Sequence, residues 1–296
     1  MSVIAEPTEL TVEHADGALH IVDRAGEEPA IVLMHGFPDD HHIYDRLAPL
    51  LRPRRVIAFD WLGYGRSSRR EKGAFDRTSR QQDLTALIDL LGLDKVVLVG
   101  HDASGPEAIT FALRWPEQVT HLVLLNTYYG RVRGLRFPEM IRLFADPELI
   151  PLADAMVEDP EQRLWLLTHS AKQFGMYPLK PNGLAASSIL AQYFGSERQH
   201  DALTEIRAWT ADLFGALDAQ DERVAAGDLG GLAVPTILIF GARDSYLSAA
   251  VAQGLAALLQ SSATHPIPGA SHWPQWDEPE AVAKIITEAI ARSRNR

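Results

Sequence analysis

The sequence predicts an α/β protein with a mostly parallel, doubly wound sheet and a helical insertion between two of its strands. Three observations carry this. Short, continuous apolar runs alternate with helical periodicity at both ends of the chain. Each run stops at glycine or a polar residue, as strands buried on both faces of a parallel sheet do. Residues 127–231 contain no convincing run of that kind, only helical stretches broken by proline and glycine.

The elements follow in order. Residues 10–12 and 19–22 read as short strands parted by the turn signal Asp16-Gly17. Residues 30–34 form a buried strand that ends at His35-Gly36, and residues 43–51 read as a helix. Residues 56–59 form the next strand, ending at Asp60. Residues 78–91 are helical, with Leu84, Leu87, Ile88 and Leu91 spaced three and four apart and Gly92 as the C-cap. The strand at 96–99 breaks into Gly100-His101-Asp102-Ala103-Ser104-Gly105, and a helix runs on to about Trp115. A strand at 122–125 precedes the insertion. After it come a strand at 236–240, a helix at 248–259, a strand at 264–267 and a last helix at 279–292. That helix carries Ala281, Ile285 and Ala289 on one face. The expected domains are a core of residues 1–126 and 232–296 and a helical cap of residues 127–231.

Composition excludes several classes. The chain has 296 residues and no cysteine, so disulfides, thiolate nucleophiles and cysteine-ligated metals are ruled out. Its 28 Lys and Arg against 39 Asp and Glu give a net charge of −11, which disfavours nucleic acid as a partner. No targeting segment or spanning stretch is visible, so no membrane partner is expected and the cytoplasm is the expected compartment. Asp39-Asp40-His41-His42 has metal-ligand residue types. They sit in one loop without a second set, so the aspartates are expected to cap the following helix and no metal is assigned. Arg52, Arg54, Arg55, Arg69 and Arg70 are expected on a solvated surface.

The segment that carries chemistry is Gly100-His101-Asp102-Ala103-Ser104. A buried strand runs into a tight turn with small residues around Asp102, the pattern of an elbow that lifts one side chain above the sheet at a helix N-terminus. A bland alternative is that Asp102 only caps the helix. Three further segments decide against it. His35-Gly36-Phe37-Pro38 follows an earlier strand, where a second oxyanion donor belongs. Gly241-Ala242-Arg243-Asp244 and Gly269-Ala270-Ser271-His272-Trp273 follow the two late strands, giving the chain order nucleophile, acid, histidine.

On these residues, with Asp60-Trp61-Leu62-Gly63-Tyr64-Gly65-Arg66-Ser67, the chain resembles the α/β-hydrolase fold in its aspartate-nucleophile branch. That branch holds epoxide hydrolases, haloalkane dehalogenases and fluoroacetate dehalogenases. The likeness covers nearly the whole chain and is specific for fold and triad, less so for substrate. It implies that Asp102 attacks an electrophilic carbon to form an alkyl ester. His272, oriented by Asp244, would then activate water to cleave that ester, with the backbone N–H groups of Phe37 and Ala103 holding the oxyanion. No cofactor is implied. The implied substrate is a small hydrophobic organic molecule reacting with water, and a homodimer stays open.

Departures from the family patterns bear on substrate. The position after the nucleophile is Ala103, where haloalkane dehalogenases carry Trp and fluoroacetate dehalogenases carry Arg. Phe37 stands where the former often carry Asn. Epoxide hydrolases share His-Gly-Phe-Pro and use two cap tyrosines as acids. Tyr193 and Tyr177 are the candidates, with Tyr128 and Tyr129 at the cap entrance, but Thr210, not Tyr, follows Trp209. The expectation is therefore an epoxide hydrolase, with a haloalkane or haloacid dehalogenase as the alternative and a non-hydrolytic ligand-binding member of the fold as a reading of another class. His35, Trp61, His101, Tyr177, Tyr193, Trp209 and Trp273 are candidates for contact with substrate.

Overall fold

The computed structural model describes residues 6–14, 17–69, 77–174, 199–260 and 262–294. Its described strands are β1 (Thr8–His14), β2 (Gly17–Arg24), β3 (Glu27–Met34), β4 (Arg54–Phe59), β5 (Val96–Asp102), β6 (Val119–Thr127), β7 (Thr236–Gly241) and β8 (Ser262–Ile267). They form one sheet in the order β1-β2-β4-β3-β5-β6-β7-β8. β1 and β2 pair antiparallel, β2 meets β4 antiparallel, and every neighbour from β4 onward is parallel. This is the doubly wound sheet that the alternating pattern predicts.

The continuous apolar runs have a direct cause. Along β3, Ala30, Val32 and Met34 enter a cluster on one face, while Ile31 and Leu33 enter a second cluster on the other. β5 and β6 divide in the same way, with Leu98 and Leu124 on one face and Val97, Val99, Val123 and Leu125 on the other. Both faces are dry, so no position in the run can be polar. Burying each such side chain is worth about 1.5–3 kcal/mol.

Helices cover these faces: α1 (Arg77–Leu90), α2 (Ser104–Arg114), α7 (Ala249–Leu258), the single turn α8 (Pro274–Asp277) and α9 (Pro279–Arg294). Between β6 and β7 the described residues form α3 (Glu139–Ala145), α4 (Ile150–Glu158), α5 (Pro160–Gln173) and the long α6 (Gln199–Ala226), and no strand. The N-terminus of α5 is fixed by Asp159, whose side chain accepts the N–H groups of Glu161 and Gln162 ahead of Pro160 at the first turn. Among the described residues, no helix is long and apolar enough to cross a membrane.

Three local expectations need correction. The helix expected at 43–51 is two short 3-10 pieces, His41–Tyr44 and Ala48–Leu51. Pro49 has no N–H for an interior helical bond, and its ring would clash with the preceding turn, so one helix cannot run through. The fully buried stripe of α9 is Val282, Ile286 and Ile290, one residue on from the expected face; Ala281, Ile285 and Ala289 flank it, partly buried. Arg54 is buried, its guanidinium donating to the Glu28 carbonyl, and Arg55 pairs with Asp23 across β2 and β4. These two arginines tie strands together and do not form a solvated run. At Gly92 the expected cap is present, with φ at +62°.

Candidate active site

Asp102 ends β5 with φ at +48°, a left-handed conformation that an L-residue adopts at a cost of about 1–2 kcal/mol. The surrounding chain holds it there. A Cβ on Gly36 would lie 2.5 Å from the Asp102 Cβ, and one on Gly105 would lie 1.9 Å from Thr127 Oγ1. Only glycine lets these segments pass. Thr127 in turn donates its hydroxyl to the Asp102 carbonyl. The result is a sharp strand-to-helix elbow with the Asp102 carboxylate at the end of the sheet.

One oxygen of that carboxylate, Oδ2, accepts the Phe37 N–H at 3.1 Å, and the carboxylate also takes the Ala103 N–H. Both predicted oxyanion donors therefore already grip the carboxylate. Burial raises the Asp102 pKa above the ordinary carboxylate value, and the charge of His272 with the two N–H groups opposes that.

The acid and histidine come from the loops after β7 and β8. His272 Nδ1–H donates to Asp244 Oδ2 at 2.7 Å. Asp244 is held from every side. Asn126 Nδ2 donates to Oδ2 at 2.8 Å, and the N–H groups of Tyr246 and Leu247 reach Oδ1 at 2.8 and 3.1 Å. Asn126, itself at φ +31°, also accepts the Gly241 N–H at 2.7 Å and so locks the loop that carries Asp244 to β6. Sequence reading missed Asn126; a polar residue at the C-terminal end of a buried strand was the available signal.

The charges of the pair follow. Burial would raise Asp244, but His272, the Tyr246 N–H and the Asn126 amide hold it at about 2. Burial works against a charged imidazole, but the carboxylates of Asp244, Asp102 and Asp39 outweigh it and lift His272 to about 9. At neutral pH the resting His272–Asp244 pair is thus an imidazolium against a carboxylate.

Asp102 and His272 open into one cavity. Its walls are mostly apolar: Phe37, Phe137, Met140, Ile141, Trp209 and Trp273 among them. Trp209 stacks on Phe37 at 4.1 Å with the rings within 6° of parallel. Trp273 lies edge-on to His272. These two of the predicted contact residues line the cavity.

Three others do not. His35 donates Nδ1–H to the Gly36 carbonyl and accepts the Trp61 N–H on Nε2. Trp61 donates its indole N–H to the His35 carbonyl and to Ser104 Oγ, both at 3.0 Å. These buried groups clamp the Phe37 loop to the elbow from behind. Burial takes His35 down to about 4, so it stays neutral. His101 is also buried, with its Nε2 2.9 Å from the His272 carbonyl oxygen. Tyr177 and Tyr193 lie outside the described residues.

The Asp39–His42 loop divides its duties. Asp40 accepts the His42 N–H and caps the 3-10 turn, as expected. His41 bonds to the buried Asp60 and His42 pairs with Asp45 at the surface. Asp39 does not cap. It lines the cavity, and its Oδ2 accepts the Trp273 indole N–H at 3.0 Å. Sequence reading missed this second carboxylate, because its partner is 234 residues away. Tyr128, which follows β6, lines the cavity too.

Known proteins resemble this chain over most of its length. The sequence model of the family described as "alpha/beta hydrolase fold" matches residues 29–279. Epoxide hydrolase 3 of Xenopus tropicalis is 28% identical over 290 residues, covering 88% of this chain and 71% of the relative. Haloalkane dehalogenase 2 of Mycobacterium tuberculosis is 26% identical over 279 residues, covering 92% of this chain and 91% of the relative. The crystal structure of a haloalkane dehalogenase from Bradyrhizobium elkani superposes with a TM-score of 0.74 at 20% identity, over 97% of this chain and 98% of that one. At that identity the last likeness speaks for the fold alone.

Proposed function

This chain belongs to the α/β-hydrolase fold family, and from that premise we propose that it hydrolyses an epoxide or a related electrophilic sp³ carbon through a covalent ester on Asp102. The observation that carries the reading is the Asp102 carboxylate itself. It sits on the elbow, has one oxygen held by the Phe37 N–H, and shares an apolar cavity with the His272–Asp244 pair.

The reaction runs in two steps. Oδ1 of Asp102 attacks carbon, and Oδ2 becomes the ester carbonyl, already in place against the Phe37 N–H. An ionised carboxylate needs no base for this step. Ester formation removes the charge of Asp102, one of the groups that keep His272 protonated. The imidazolium then gives its proton to solvent more readily, and the neutral imidazole takes one from the attacking water. The hydroxide attacks the ester carbonyl, the two N–H groups hold the oxyanion, and the alcohol leaves. Asp244 keeps the imidazole in the correct tautomer throughout. The inserted helices act as a cap that keeps the first step dry.

Two features favour an epoxide over a haloalkane. Ala103 brings no side-chain donor for a leaving halide, and the Trp273 indole N–H is already given to Asp39. The names of the relatives support both substrate classes, so the dehalogenase stays as the second reading. A non-hydrolytic binder has no use for the three residues together.

His272→Gln tests the scheme. The first step should continue and the second stall, so intact-protein mass spectrometry should find an ester adduct on Asp102 after exposure to styrene oxide. Turnover should fall about 1,000-fold or more. Turnover lost in the variant with no adduct, while the wild type converts the same substrate, contradicts the scheme. Halide release from a haloalkane panel decides between the two substrate classes.

A further inference from the structure

Resting on the aspartyl-ester reading, we propose that Asp39 is the acid of the first step: it carries a proton in the resting site and hands it to the oxygen that leaves carbon as Asp102 attacks. Asp39 follows the Gly36-Phe37-Pro38 turn, where its own N–H donates to the Gly36 carbonyl at 3.0 Å. It is only 3% exposed and lines the same apolar cavity as Asp102 and His272.

The hydrogen bonds around it point to a neutral acid. An ionised carboxylate offers about four acceptor sites. Among the described residues, the Asp39 side chain receives one donor, the Trp273 indole on Oδ2, and Oδ1 makes no hydrogen bond. Its other near neighbour is His101 Nδ1, 3.6 Å from Oδ2 and without a hydrogen-bond partner. His101 Nε2 lies 2.9 Å from the His272 carbonyl oxygen, which can only accept, so Nε2 carries the hydrogen. In the neutral tautomer Nδ1 is then a lone pair, and an anionic Asp39 would face it with another. A proton on Oδ1 takes the negative charge out of that conflict, and no hydrogen bond holds it back from the cavity.

The groups that face Asp39 are His101 and Asp102 of β5, His272 and Trp273 of the loop after β8, and Asp40 and Tyr44 of its own segment. Burial is the largest influence and pushes the carboxyl up to about 7, against the Trp273 bond and the charge of His272. The two carboxyl groups of this cavity thus differ in their donors: Asp102 accepts two backbone N–H groups, which favour its anion, and Asp39 has no such support.

The atoms balance. Asp102 forms a C–O bond to the epoxide carbon while the ring C–O bond breaks, and the Asp39 proton moves to the ring oxygen. The products are a hydroxyalkyl ester and an Asp39 carboxylate. Between the steps the His272 imidazolium gives its proton to solvent. In the second step water adds to the ester, the diol leaves, and His272 keeps the proton released by the water. A proton taken up from solvent returns Asp39 to its resting form. A leaving halide needs no proton, so Asp39 matters only when the leaving group is oxygen.

That difference supplies the test. Alkylation of Asp102 is followed by mass spectrometry in a single turnover, with styrene oxide and with benzyl bromide, for wild type, Asp39→Asn and Asp39→Glu. Asp39→Asn should slow alkylation by styrene oxide about 100-fold and leave that by benzyl bromide near the wild-type rate. Asp39→Glu should restore much of the epoxide rate. Equal slowing with both reagents, or none with styrene oxide, overturns the proposal and leaves the Asp102 ester standing. No ester from the wild type with either reagent removes both. Should Asp39→Asn fail to fold, the wild type alone decides: its epoxide rate should fall as pH rises past about 7 while the bromide rate does not. Parallel profiles for the two reagents overturn the proposal.

Discussion

The carboxyl ends of the strands and the inserted helices meet at the same cavity but are built differently. On the strand side every reactive group is fixed by hydrogen bonds. Asp244 alone takes four, from His272, Asn126, Tyr246 and Leu247. On the helical side, α3 and α6 supply apolar wall, with Met140, Ile141 and Trp209 facing the cavity. Fixed polar groups set a reaction, since catalysis needs donors placed before charge develops. Apolar walls set which molecule fits, at a few kcal/mol per contact at most. The contrast therefore separates what this chain does from what it does it to.

Substitutions on the two sides should separate in the same way. On the strand side, Asp244→Asn should lower kcat about 10³–10⁴-fold, because the imidazole loses the partner that sets its tautomer and stabilises its charge. The same variant has a stability signature. Asp244 is held at about 2, below the ordinary carboxylate value of 3.8, so its ionised form favours the folded state. That contribution is present above about pH 4 and is lost as pH falls toward 2. The stability gap between wild type and variant, read from denaturant midpoints, should be wide at neutral pH and close in acid. A gap that stays constant down to pH 2 contradicts this reading of Asp244.

On the helical side, Trp209→Leu should act about 100-fold more weakly. It should raise KM about tenfold and leave kcat within about threefold, as expected when uniform binding is lost. Steady-state kinetics on one epoxide reads both values. A fall in kcat that exceeds the rise in KM would place Trp209 with the chemistry, through its stack on Phe37, and would erase the contrast between the two sides.

The same division governs what the sequence reveals. Asp102 and Asp244 are legible because each comes at a glycine at the end of a buried strand, whose apolar run has a local cause in burial on both faces, and His272 because it follows Gly269 after the last strand. Asp39 is not legible. Its loop reads equally well as a helix cap, and Asp40 does cap; only the arrival of Trp273 from the far end of the chain turns Asp39 toward the cavity. His35 and Trp61 stand beside the motifs of the candidate site, yet tertiary packing spends their polar atoms on each other and on Ser104. The short 3-10 pieces after β3 show a competing signal winning locally, as Pro49 interrupts an apolar pattern that suits a helix.

The central claim is that Asp102 bonds covalently to the substrate and that water then attacks its carboxyl carbon. A single turnover in ¹⁸O-labelled water, followed by mass analysis of the peptide that contains Asp102, reads this directly. The account predicts heavy oxygen in the Asp102 carboxylate and none in the alcohol product. Product that carries the label, with Asp102 unlabelled, would mean that water attacks the substrate itself and would contradict it.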